Sequence, residues 1–219
     1  AYYPKQLERL GFIKDQDWKE FKIYIPKEIP EKHIRISQIV REKYGLRVVK
    51  VKDRKELLPY GPAVFETINK AYSNLYGYSE LSPAQIEYYV KLYIPMLRPE
   101  FVTLIVREKD EKVVGIANLS KALKLANGKL FPFGFIHLLR ALKGRPRVID
   151  LYLMGVLPEY MNRGVNALLF NDLIPIYQKF GVEYAESNPE LETNMSVQMQ
   201  WDYFERKHHK TRRAFIKKL

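Results

Sequence analysis

A chain of 219 residues, 47% hydrophobic and 28% charged, holds enough apolar material for one large folded domain. It has no cysteine, which excludes disulfides, thiolate metal sites and cysteine nucleophiles and fits a cytoplasmic protein. The net charge of +12 is local: residues 119–149 and residues 206–219 each hold seven cations and no acid, so those +14 leave −2 for everything else.

In chain order, Tyr2 to Leu10 reads as a short helix that Gly11 ends. Phe12 to Ile25 is strand-like, with Trp18, Phe21, Ile23 and Ile25 in loose alternation. Pro26 and Pro30 mark a linker. Glu31 to Tyr44 predicts a helix with Ile34, Ile39 and Val40 facing inward, stopped by Gly45. Leu46 to Val51 reads as a strand. Pro62 suits the first turn of a helix to about Leu75, with Val64, Ile68, Ala71, Tyr72 and Leu75 on its apolar face. Ser82-Pro83-Ala84-Gln85 is a capping box for a helix toward Tyr93, limited by Pro95. Phe101–Val106 and Val113–Asn118 form a hairpin around Lys109-Asp110-Glu111-Lys112.

The basic segment Ser120–Arg147 carries Phe131, Phe133, Phe135 and a short helix near Ile136–Leu142. A connection of this length in a compact domain predicts a lid or binding loop. Leu151–Val156 is an apolar strand that turns at Leu157–Tyr160. The helix behind it places Val165, Leu168, Leu169, Leu173, Ile176, Tyr177 and Phe180 on one face, with a kink expected at Pro175. A strand that turns directly into a helix aims free N–H groups at one small space, where phosphate binds well. Val182–Ser187 is the next strand, Glu192–Glu205 a helix and His209–Ile216 a last strand. His208-His209 reads as an exposed alternating pair rather than a metal site, and no other histidine spacing suggests zinc. No apolar run approaches the roughly 18 residues that span a membrane.

The run Val156-x-Pro158-Glu159-Tyr160-x-x-Arg163-Gly164-Val165 resembles motif A of the GNAT superfamily of N-acetyltransferases. The signature Gln/Arg-x-x-Gly-x-Gly/Ala is represented by Met161-Asn162-Arg163-Gly164-Val165-Asn166. The central glycine matches; Met161 and Asn166 depart from the pattern. From Leu46 onward the predicted order of strands and helices also resembles this family. The resemblance implies an α/β fold with a mixed sheet whose two central strands splay apart. Acetyl- or longer acyl-coenzyme A would enter between them as substrate, with no metal. It implies that backbone groups of Met154 and Val156 hold the pantetheine arm, that Met161, Asn162, Arg163, Gly164, Val165 and Asn166 hold the pyrophosphate, and that Asn194 lies near the cofactor or caps the last helix. A family tyrosine acid would stand seven residues after Asn194, at Trp201; Tyr203 is the nearby candidate, and Glu186, with Glu159 beside it, the candidate base.

The function so implied is transfer of an acyl group from acyl-coenzyme A to an amine acceptor. Two alternatives remain open: a binding module that keeps the fold without turnover, and nucleic-acid binding through the two basic stretches. The local basicity suits an anionic partner, an acidic carrier protein among them. Residues 2–25 resemble the last helix and strand of a preceding copy of the same domain. The expected division is therefore a remnant at 1–30 and an acyltransferase-like domain at 31–219, with Phe12–Ile25 paired to that domain's sheet or to another chain, since its edge amides and aromatic side chains need partners.

Overall fold

The structure is a computed structural model, described here for residues 2–120 and 146–218. Its elements, in order, are α1 (Tyr2–Arg9), β1 (Ile13–Tyr24), α2 (Glu31–Tyr44), β2 (Leu46–Val49), α3 (Arg54–Leu57), α4 (Gly61–Tyr72), α5 (Pro83–Tyr93), β3 (Val102–Arg107), β4 (Val113–Ser120), β5 (Val148–Val156), α6 (Val165–Phe180), β6 (Tyr184–Glu186), β7 (Glu190–Leu191), α7 (Met195–Gln200) and β8 (Arg206–Ile216). The proposed lid and its short helix, at 121–145, lie outside the described residues.

One mixed sheet runs β2-β3-β4-β5-β6-β1, with β7 continuing along the β6 edge of β1 and β8 along its other edge. Among the described residues only β5 and β6 pair in parallel. The expected mixed α/β architecture is present. The first strand is interior to it: β1 pairs antiparallel with β6 at Lys22–Tyr24, with β7 at Trp18–Lys19, and with β8 from Ile13 to Ile23. The strand expected to seek a partner finds three, all within this chain.

The two faces of the sheet are covered differently. On one face α6 lays Leu168, Leu169, Leu173 and Tyr177 over Ile105, Val114, Ile149, Val156 and Ala185, and Val40 of α2 joins them. On the other, Val64, Phe65 and Ile68 of α4, with Ile86 and Val90 of α5, cover Val102, Leu104, Val106 and Val113. A third cluster, Phe21, Ile23, Phe170, Ile174, Trp201 and Phe204, ties β1 to α6 and the last helical turns. Burial of one such leucine contributes about 1.5–3 kcal/mol, so these contacts set the position of α6 firmly.

Local signals account for the boundaries. Ser82 and Gln85 form the expected reciprocal capping box. Gly45 and Gly181 end α2 and α6, each returning its N–H to the last turn. Three expectations need correction. The inward face of α2 is His33, Ser37 and Val40, while Ile34 and Ile39 are 43% and 49% exposed. The stripe facing α6 is chosen by fit to that helix rather than by hydrophobicity alone. The predicted helix Glu192–Glu205 is shorter, because residues 190–191 pair with β1 as a strand and the helix starts only at Met195. His208 and His209 are not alike: His208 is exposed with its ring against Phe21, whereas His209 is half-buried, its Nε2 is unpartnered and burial lowers its pKa.

Candidate functional site

β5 and β6 run together for only three residue pairs, ending at Asp150 and Glu186. Beyond this point the chain of β6 turns off through Ser187, whose N–H donates to the Phe21 carbonyl while its Oγ accepts from the Phe21 N–H. The rest of β5, residues 151–156, has no strand on that edge among the described residues. A fork therefore opens between β5 on one side and β6, β7 and β1 on the other.

The backbone of β5 is aimed into the fork by its pairing with β4. Leu157 N–H donates to the Val114 carbonyl. Alternation then directs the peptide groups of Gly155 and Leu153 at β4, and those of Met154 and Val156 away from it. The side chains of Met154 and Val156 lie on the α6 face. On the α4 face Gly155 lies under Ala71, Ile68 and Tyr72. The Tyr72 hydroxyl reaches the edge of the strand and donates to the Met154 carbonyl at 2.8 Å.

Past β5 the chain makes a tight helical turn at Pro158–Tyr160, then places Asn162 and Gly164 at φ 57° and 80° before α6 begins. The N–H groups of Asn162, Gly164, Val165 and Asn166 have no hydrogen-bond partner among the described residues. They sit at the positive end of a 16-residue helix, an arrangement suited to an anion. Met161, Asn162 and Arg163 are exposed. The Arg163 guanidinium stands over the Tyr44 ring, 5.5 Å from its centre, which leaves its charge at the rim of the turn.

Gly164 has a second role that its motif does not announce. A Cβ there would lie 2.6 Å from Cγ2 of Ile36 and 3.4 Å from Cγ2 of Val40, both on α2. Positive φ and close approach of α2 both call for glycine at this position. The Asn166 side chain turns sideways and donates to Gln200 Oε1 at 2.8 Å, tying α6 to α7. Asn194 occupies the position before α7 without a side-chain cap to the backbone; its Oδ1 accepts from the Ser196 hydroxyl at 2.9 Å.

The two catalytic candidates are not brought together. Ala185 packs on the α6 face, so its neighbour Glu186 points to the α4 face, where it is buried with Lys210 Nζ at 3.5 Å. Tyr203 is exposed near α2, its hydroxyl accepting from Lys32 Nζ at 2.7 Å and its ring edge-on to His33. Glu159 forms an ion pair with Lys112 at 3.2 Å; a backbone N–H bond, then Lys112, hold its pKa down and weaken it as a base.

Sequence reasoning passed over Glu190 and Tyr72. Glu190, on β7, accepts from Trp201 Nε1 at 2.7 Å, and burial pushes its pKa up to about 7. Tyr72 is raised to about 12 by burial. No local signal marks either residue. Glu190 stands in an unremarkable Pro-Glu-Leu-Glu run, and Tyr72 meets a partner 82 residues away.

The second basic stretch is partly neutralised by acids outside it and beside it in the fold. Arg206 pairs with Asp202, Lys210 and Arg212 with Glu20, and Arg213 with Asp17. Among the described residues no three acidic or histidine side chains gather as a metal site, and no helix is long and apolar enough to cross a membrane.

No family model matches the sequence, and no curated protein matches it. Solved structures do. A GCN5-related glucosamine N-acetyltransferase region in a fungal multi-domain GH3 β-N-acetylglucosaminidase superposes with a TM-score of 0.58 at 12% identity, covering 97% of this chain and 22% of that one. A GCN5-related N-acetyltransferase from Sphaerobacter thermophilus gives 0.56 at 15% identity, covering 94% and 53%. A tandem GNAT protein of the clavulanic acid biosynthesis pathway gives 0.52 at 14%, covering 97% and 58%. The chain thus spans between about a fifth and three-fifths of the length of these three structures. Its fold is that of the GCN5-related N-acetyltransferases.

Proposed function

We propose that this chain, built on the N-acetyltransferase fold, binds acyl-coenzyme A in the fork and transfers the acyl group to an amine. The observation that carries the reading is the row of four unpartnered N–H groups at the start of α6, continuous with a strand edge whose peptide groups face the fork. Pyrophosphate would accept from those four donors, with Arg163 adding charge at the rim. The pantetheine arm would run back along Val156 to Met154, adding its amides to the strand in place of the missing neighbour. At the acyl end an N–H of β5 polarises the carbonyl, and Glu186 takes the acceptor's proton by way of water. Acetyl-coenzyme A or a longer acyl thioester suits this path, and the acceptor is an amine. An acidic carrier or other anionic partner would meet the first basic stretch, because four of the seven cations of the second already have acidic partners.

Isothermal calorimetry with acetyl-coenzyme A tests the reading. The parent is expected to bind. Arg163→Glu, an exposed reversal beside the proposed pyrophosphate, should weaken binding at least about tenfold while leaving the melting temperature nearly unchanged. A parent that gives no heat and no thermal shift would refute it. Binding without any release of coenzyme A thiol would favour the non-catalytic module.

A further inference from the structure

We propose that Tyr72, from α4, is the catalytic acid of the fork: its hydroxyl delivers the proton to the departing thiolate. The assignment rests on the acyl-transfer reading above.

The argument is one of position. If the pyrophosphate sits at 162–166 and the arm runs back along Val156, the thioester lies at the far end of that path, beside Met154. The Tyr72 hydroxyl is there, 2.8 Å from the Met154 carbonyl oxygen. Its ring is held from two sides, over Gly155 and edge-on to Tyr78 at 5.7 Å. Tyr78 in turn is anchored through its own hydroxyl to Asn69 Oδ1 at 2.6 Å. The donor is thus fixed by packing and by a second tyrosine. Burial keeps it protonated far above neutral pH. Tyr203, the nearest match to the family's pattern, lies by α2 with its hydroxyl on Lys32. Glu186, by contrast, faces the α4 side as Tyr72 does. Acid and base then occupy one face, separated by the four residue steps from Asp150 to Met154, roughly 13 Å of strand.

The step balances without a further reactant. The amine nitrogen attacks the thioester carbon and forms the C–N bond. The C–S bond breaks with its electron pair going to sulfur, and the Tyr72 proton moves to that sulfur. The amine loses its surplus proton toward Glu186 and water, and water returns a proton to the Tyr72 phenolate. The products are an amide and the free thiol of coenzyme A.

The experiment compares the parent, Tyr72→Phe and Tyr203→Phe. Acetyl-coenzyme A binding is measured by calorimetry, and thiol release by a thiol-reactive dye with primary amines from ammonia to lysine peptides. Tyr72→Phe should bind acetyl-coenzyme A within a few-fold of the parent yet release thiol about 100-fold more slowly, a loss in kcat rather than KM. Tyr203→Phe should keep release. In single turnovers the parent should show a normal solvent deuterium isotope effect, a reading that needs no variant to fold. Unchanged release in Tyr72→Phe, or no isotope effect in the parent, overturns the assignment alone. A parent that binds acetyl-coenzyme A but never releases thiol removes the assignment and leaves the binding reading. A parent that does neither overturns both.

Discussion

The tip of α6 and the ribbon formed by β1 and β8 treat charge in opposite ways. The ribbon is dense in formal charge, yet Asp17 and Glu20 are buried against Arg213, Lys210 and Arg212, so part of the positive charge of residues 206–219 is offset across the sheet. At the tip of α6 the reverse holds. Few side-chain charges are present, but four backbone donors have no partner among the described residues. A run of like charge in a sequence therefore says little about potential until its neighbours across the sheet are known. Unpaired groups on the backbone, invisible in composition, make the better anion site.

The comparison breaks most visibly at Gly164. Gly164→Val places a branched side chain at positive φ and against Ile36, and should cost about 2–4 kcal/mol as well as coenzyme binding. Adding Ile36→Ala should recover part of the stability in urea unfolding but none of the binding. Recovery of both would make Gly164 a packing residue only.

Glu190, on β7 beside the ribbon, sharpens the comparison, since this carboxylate has an indole N–H where Asp17 has an arginine. Its folded pKa is raised from 4.5 to about 7, so the unfolded chain loses the proton first. Its stabilisation is complete below about pH 4.5 and falls away as the pH rises through 7. Glu190→Gln, which cannot ionise, should equal the parent at pH 4 and exceed it at pH 8 by up to about 3 kcal/mol in urea unfolding.

The smallest expected effect is at Arg213. Its guanidinium, ahead of Lys14, lowers the Asp17 pKa from 3.8 to about 2. That stabilisation is present above pH 3.8 and lost as the pH falls through 2. Arg213→Met should lower the melting temperature at pH 7, less than either change above, and the difference should vanish near pH 2.

Much of the fold could be read from residues alone, because the strong signals were local. The capping box at Ser82, the αL stops at Gly45 and Gly181, and the apolar face of α6 each depend on a few consecutive residues. The turn at 161–166 was visible for the same reason. What escaped depended on distant partners. Ile34 and Ile39 face out because α6 selects another stripe of α2. Residues 190–191 become a strand because β1 offers them an edge. Tyr72 looked like one more core aromatic until the strand edge above it came into view.

The interior place of β1 has a consequence in time. Ile13 meets Ile216, and Ile23 meets Ala185 and Arg206, so β1 is synthesised long before any strand that pairs with it. At about 5–20 residues per second, a ribosome needs roughly 10–40 s to supply those partners. Through that interval Phe21 and Ile23 wait without a core, on a strand with both edges bare. The sheet closes only when sequence-distant strands dock, a slow route of high contact order that exposes the nascent chain to aggregation.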